Sequence, residues 1–504
     1  MPLLEVQFNE SSITKIHGPD YWQLNENFPD WQNYAGFVNA RWQLSRNQLS
    51  VQVDPHGVTQ LFYYFQQGRL LVSRSLFDIL KRLPEQELDM VAIGIFLRMG
   101  TYVGNDTPFK NIKVMGPGAH LQLVKGQLHY NEQRYWQKTS QSLPESVLLD
   151  EYIERFRHSI AQLQSRYSDN LVVPLSGGRD SRHIFLELYH QKLFPKKVIT
   201  SYFEDNNNDI SDVQCAAALV QRAGVEHVVV KNKSSWILRE TYKNHRTSLG
   251  ALMHAWYSSV AGQVQSPDVL LDGLGGDVMS ESKVLSESVN QDFAHGNWDR
   301  LIHYYLGHKN DGRLDFLSSP WRKQMAFDQL AERLLPELKC YQYYNAPQNA
   351  FEFYNRARRS VSLSSQLMVN TSRVYYPYLH MPVFELLSSL NYRQFPENNF
   401  HSLAIARAYS DFADIPYGSG FCKPAKVTSN LCYHWRRTCY NQQKALGILK
   451  RLKFQEVRTA VDTKKVVSRL LIDVVAPFKS RSYHDWLGSN IVYIADLLRC
   501  KYIN

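Results

Sequence analysis

From Leu171 onward the chain alternates short, buried-type apolar runs with amphipathic helical stretches, a pattern that few architectures accommodate. "LVVPL" precedes "SRHIFLELYH", "KVITSYF" precedes "DVQCAAALVQRAG", and "HVVVK" and "DVLLDG" come later. Strands apolar on both faces must be covered on both faces, so the alternation predicts a doubly wound parallel sheet with helices on each side. Up to about Trp136 the texture differs. "GFVNARWQL", "QLSVQVD", "TQLFYYF" and "GRLLVSR" alternate apolar and polar residues between turn formers, which predicts antiparallel strands. The polar stretch "QKTSQSLPES" reads as a linker, and Leu148, Tyr152, Ile153, Phe156 and Ile160 recur after it at helical spacing. The expected fold class is α/β: an antiparallel β-rich part over 1–140, then a parallel-sheet part over 141–504 that turns helical beyond about Trp321.

Charge and cysteine usage narrow the function classes. The net charge is +10, and residues 421–504 hold sixteen Lys/Arg against five Asp/Glu, so the excess sits at one end. Without aromatic–basic interleaving this end reads as a solvated helical surface, and no nucleic-acid partner is expected. The start, "MPLLEVQFNE", has no basic region ahead of an apolar one, and no uncharged apolar run reaches membrane-spanning length, so no membrane partner is expected either. The six cysteines are scattered, with no Cys-x-x-Cys pair and no histidine cluster at metal spacing. Free thiols in a reducing cytoplasm are the expectation.

In open parallel sheets, ligands gather outside the carboxyl ends of the strands. Ser176 to Ser181, "SGGRDS", stands at that place after the first predicted strand. Gly177 and Gly178 let the backbone curl with its N–H groups inward, and the helix that follows presents further unpaired N–H groups, a cradle suited to phosphate. Its spacing is neither that of the Walker loop nor that of dinucleotide folds. Asp180 inside such a cradle would repel phosphate unless a divalent cation lay between them. Magnesium is the candidate, being held by one or two carboxylates plus phosphate oxygens. "VLLDGLGGDV" then offers a second carboxylate, Asp277, on a glycine-rich loop after another apolar strand.

These two loops resemble those of the asparagine synthetase-like family, amide ligases with an ATP-pyrophosphatase loop. "LSGGRDS" is similar to its Ser-Gly-Gly-x-Asp-Ser signature, and "LDGLGGD" to its second loop. "DPHGVTQLFYY", "TPFKNIKVMGPGAHLQL", "EQRYWQ" and "YYPYLHMPVFELLSSL" resemble further segments in family order, from about Tyr34 to Phe421. The resemblance implies an N-terminal glutamine-amidotransferase-like domain of Ntn type followed by an ATP-pyrophosphatase domain. It further implies ATP held by Leu175, Ser176, Gly177, Gly178, Asp180 and Ser181, with Asp272 and Gly273 lining the nucleotide pocket. Asp180 and Asp277 would share Mg2+ at the pyrophosphate. Arg179 lies within the loop as a further phosphate contact.

Departures from the family shape the expected chemistry. Glutamine-using members begin with a nucleophilic cysteine, whereas Pro2 stands here and no cysteine precedes Cys215; the first part reads as an inactive remnant. Leu274 occupies the place of a Glu in asparagine synthetases or a Tyr in β-lactam synthetases, and Val278 that of a second Glu, so the proton acceptor must come from elsewhere. Tyr376 and Lys423, with Tyr375, His380 and Lys426 nearby, are the candidates for that task or for stabilising the acyl-adenylate; His183 and His254 read as packed helix residues. The gly-gly-Asp reading also has a short likeness to lasso-peptide cyclases. The expected function is an AMP- and pyrophosphate-forming ligase joining a small-molecule or peptide carboxylate to an amine or ammonia. Asparagine formation with ammonia, tRNA modification by the same loop, and nucleotide binding without catalysis are the alternatives. Monomer and homodimer both stay open.

Overall fold

The structure is a computed structural model that describes residues 2–10, 12–24, 36–140, 143–202, 207–232, 235–280, 286–368, 373–394, 400–418, 431–475 and 483–500. Its first part is two antiparallel five-stranded sheets. One contains β1 (Leu3–Phe8), β2 (Ile13–His17), β6 (Phe62–Gln66), β7 (Arg69–Ser73) and β8 (Ile112–Val114), in the order β2-β1-β7-β6-β8. The other contains β3 (Tyr21–Gln23), β4 (Ala40–Ser45), β5 (Gln48–Val53), β9 (His120–Val124) and β10 (Gln127–Asn131), in the order β10-β9-β5-β4-β3. Alternate residues of each strand point inward, so Leu4, Val6, Trp42, Val51, Val72 and Leu121 fill a wholly apolar layer. Trp42 keeps its ring N–H satisfied by donating to the Pro19 carbonyl at 2.9 Å.

The helix Met90–Met99, "MVAIGIFLRM", was not legible as a helix because seven of its ten residues are buried and no polar face marks the period. Its ends are conventional. Asp89 Oδ1 accepts from the Ala92 N–H at 3.0 Å, and Gly100 closes the helix at φ 79°. It packs on the helices Trp298–Leu306 and Phe327–Lys339, and one continuous core runs from Phe37 to Cys500. The two expected parts meet between β10 and the helix Glu145–Ala161, and they share this core.

The second part is built on β11 (Leu171–Pro174), β12 (Lys197–Tyr202), β13 (His227–Lys231), β14 (Val269–Leu271) and β15 (Val374–Tyr375). All pairings are parallel, in the order β13-β12-β11-β14-β15. The chain lays β12 and β13 on one side of β11, then crosses over to place β14 on the other. That reversal opens a crevice at the carboxyl ends of β11 and β14. The basic end is helical as expected, with Leu431–Arg451, Gln455–Ala460, Thr463–Val475 and Tyr483–Cys500. It is also part of the core: Ile491, Tyr493 and Ile494 are wholly buried, and Asn244 donates to Asp496 at 2.9 Å.

Between the two parts lies a π-helical turn, Glu352–Ala357. A π register displaces carbonyls from their usual partners, so such a turn depends on bonds from outside. The first part supplies them. Thr101 Oγ1 donates to the Asn355 carbonyl at 2.7 Å, and the Gly104 N–H donates to Asn355 Oδ1 at 2.7 Å. Arg358 and Arg359 donate back to the Gly104 carbonyl at 2.6 and 2.7 Å. Replacing Asn355 by leucine strands the Gly104 N–H. The expected loss is about 1–3 kcal/mol of stability, read as a lower thermal unfolding midpoint.

Candidate functional site

A cleft of about 530 Å³ opens where β11 and β14 end. The first loop ties itself into shape: the Ser176 N–H donates to Ser181 Oγ at 3.1 Å, and the Gly178 N–H to Ser176 Oγ at 3.2 Å. Glycine is required at 177, because a Cβ there would stand 2.5 Å from Asp212 Oδ1 and 2.7 Å from the Gly418 Cα. Gly418 in turn donates to the Gly177 carbonyl at 2.9 Å. Asp180 follows as the first residue of the helix Asp180–His190.

The second loop is held by Asp272. Its Oδ1 accepts from the Leu274 N–H at 2.9 Å and its Oδ2 from the Tyr257 hydroxyl at 2.6 Å, while its own N–H donates to the Tyr375 carbonyl at 2.9 Å. Gly275 turns the chain at φ 96° and leads into the short helix Gly276–Ser280, which carries Asp277 at the cleft. The two loops touch through Asp180. A Cβ on Gly273 would lie 2.6 Å from the Asp180 Cβ, and one on Gly276 would collide with Asp180 Oδ1.

This packing sets the electrostatics. The Asp180 carboxyl, 26% exposed toward the cleft, is held well above the usual carboxylate range, first by burial and then by the charges of Asp277 and Asp272. Its Oδ1 accepts no hydrogen bond among the described residues, and His401 Nδ1 stands 3.3 Å away. Tyr378 steadies the backbone there, donating to the Asp180 carbonyl at 3.0 Å. An unsatisfied carboxylate oxygen, a second carboxylate opposite, and glycine backbone pressed close between them fit a divalent cation. Among the described residues no group of three or more His, Cys, Asp or Glu forms a protein cage for a metal.

Nine of the ten residues expected to hold nucleotide or metal line this cleft: Leu175, Ser176, Gly178, Arg179, Asp180, Ser181, Asp272, Gly273 and Asp277. Arg179 is held at the wall by a bond to Ser402 Oγ and lies over the Tyr417 ring at 4.5 Å. Gly177 stands behind the cleft, against Asp212 and Gly418. Tyr376 is not brought to it. The side chain is wholly buried, donates to the Ser362 carbonyl at 3.4 Å and does not line the cleft. Tyr375 and His380 are likewise core residues, bonded to the Ser159 carbonyl at 2.9 Å and to Gln162 at 3.0 Å. Lys423 and Lys426 lie outside the described residues.

His183 is packed as expected, stacked on Phe156 with ring centroids 3.8 Å apart. His254 is different: it sits outside any helix at φ 70° and lines the cleft. The sequence reading missed Tyr257, Glu352, Arg356 and His401. Glu352, on the π turn, is pushed up to about 7 by burial, against the opposing charge of Arg356 and with a further push from Asp277. No spacing signal marks "FEFYNRARRS", because the register that aims Glu352 and Arg356 at the cleft is irregular. Compared with models of known protein families and with curated proteins, the chain has no match.

The folded protein binds the Asp180 proton more tightly than the unfolded chain does, so the ligand-free fold loses stability as pH rises from the ordinary carboxylate range toward the raised folded value. Asp180→Asn is therefore expected to raise the melting temperature of the ligand-free protein at pH 7. Paired thermal scans of the ligand-free parent and variant check this.

Proposed function

We propose that the protein is an ATP-dependent, AMP-forming carbon–nitrogen ligase of asparagine synthetase-like type, its first part an Ntn-like remnant and its second an ATP-pyrophosphatase domain. One observation carries the reading: Asp180 and Asp277, from loops after adjacent parallel strands, face one cleft in which the backbone of the second loop packs on the Asp180 side chain.

In this reading the loop N–H groups and the start of the helix Asp180–His190 hold the phosphates of ATP. The carboxylate of the acid attacks the α-phosphorus; an acyl–phosphate bond forms and pyrophosphate leaves with the electron pair. Bound magnesium, held by Asp180 and Asp277, would neutralise charge on the phosphates. The amine then attacks the acyl carbon, the bond to AMP breaks, and a proton must be taken up. Leu274 cannot take it. Glu352, at the cleft wall with its affinity near neutral pH, is suited to the task. The apolar filling between the two N-terminal sheets supports an amine that arrives from solution.

Acid-dependent exchange of labelled pyrophosphate into ATP, screened over a panel of carboxylic acids, tests the reading. Asp180→Ala is expected to abolish exchange; full turnover in that variant, or ATP binding with no exchange or AMP release for any acid, would contradict it. Glu352→Gln is expected to keep exchange while slowing amide formation about 10²–10⁴-fold. Since the base works only when deprotonated, the parent's amide-forming rate should fall as pH drops below about 7, and the variant should lose that limb.

A further inference from the structure

Glu352 and Arg356 stand one turn apart on the π helix, and both line the cleft. Their charges are felt by each other, yet they form no ion pair, and the Arg356 guanidinium makes no hydrogen bond to any described residue. Its nitrogens are open to the cleft, where an anion can complete the guanidinium. Beside it is His254, whose charge interaction with Arg356 places the two as neighbours. The His254 backbone is in the left-handed region at φ 70°, a conformation that non-glycine residues hold only when the surroundings impose it. Its Nε2 has no hydrogen-bond partner among the described residues. Two residues after His254, Trp256 keeps 42% of its surface exposed at the same cleft, with Val361 also on the lining.

We propose that the amine substrate is an α-amino acid, its ammonium at Glu352 and its carboxylate at Arg356 and His254. The assignment rests on the ligase reading for the role of Glu352. Ammonia would leave both Arg356 and His254 without function. A zwitterion uses the wall as built, since its opposite charges are a few ångströms apart, as are side chains one helical turn apart. The Trp256 ring and Val361 offer the amino acid's side chain an apolar surface. The reaction balances. The ammonium gives one proton to Glu352, and its nitrogen attacks the acyl carbon. The C–O bond to AMP breaks with its electron pair on the phosphate, and the second nitrogen proton passes to water.

Calorimetric titration of the full chain with the proteinogenic amino acids tests this, alongside the matching amines that lack the carboxylate and the dicarboxylates succinate and glutarate. Each titration is run with and without magnesium and a non-hydrolysable ATP analogue. At least one amino acid is expected to bind. Its decarboxylated amine should bind about tenfold more weakly or worse, as should the amino acid to Arg356→Leu, with Arg356→Lys intermediate. The proposal is overturned if no amino acid binds, if amine and amino acid bind alike, if a dicarboxylate is preferred, or if Arg356→Leu changes nothing. Should Arg356→Leu fail to fold, the lysine variant and the amine comparison on the parent decide. Arg356-dependent amino-acid binding without binding of the ATP analogue keeps the subsite and removes the ligase reading; the reverse pattern removes the subsite alone.

Discussion

The packing of the Asp180 side chain against the backbone of a neighbouring glycine loop is the constraint on which the site depends. Glycine at 273 and 276 lets the second loop come into contact with a carboxylate at the start of a helix, and any side chain at either position would force the loops apart. The contact has an energetic consequence. It desolvates Asp180, brings Asp277 and Asp272 near, and leaves one carboxylate oxygen without a donor. Such an arrangement lowers the stability of the ligand-free fold, as strain stored at functional sites commonly does.

The fold supports that contact from two directions. The parallel sheet supplies adjacent strand ends, because the chain reverses its direction of travel across the sheet between β13 and β14. The N-terminal β part braces the opposite wall from behind: residues Thr101 to Asp106 bond to the π turn that carries Glu352 and Arg356 and to the two arginines after it. The β part thus has a mechanical role, holding an irregular turn that depends on bonds from outside.

Much of this was legible in the sequence, for physical reasons that can be named. Apolar runs flanked by glycines specify buried strands and tight loops, so β11, β14 and their loop residues are legible in the sequence alone. Alternation specified the antiparallel sheets. The helix Met90–Met99 escaped because burial on all sides erases the period that identifies helices. The cleft wall escaped because the π register of Glu352–Ala357 belongs to no regular spacing. Tyr376 follows directly on β15, but its side chain turns inward to Ser362 and away from the cleft. His254 resembled a helix residue until its left-handed backbone put it at the cleft.

The central claim is that the two loops meet across a metal–triphosphate, and the glycine contact offers the most direct test of it. Binding of Mn2+ with ATP to the parent and to Gly276→Ala can be followed by the electron paramagnetic resonance of the free ion. The methyl group would collide with the Asp180 carboxylate. The account predicts binding weakened by about tenfold or more in the variant, with an unchanged circular dichroism spectrum. Equal affinity in the two proteins would contradict it.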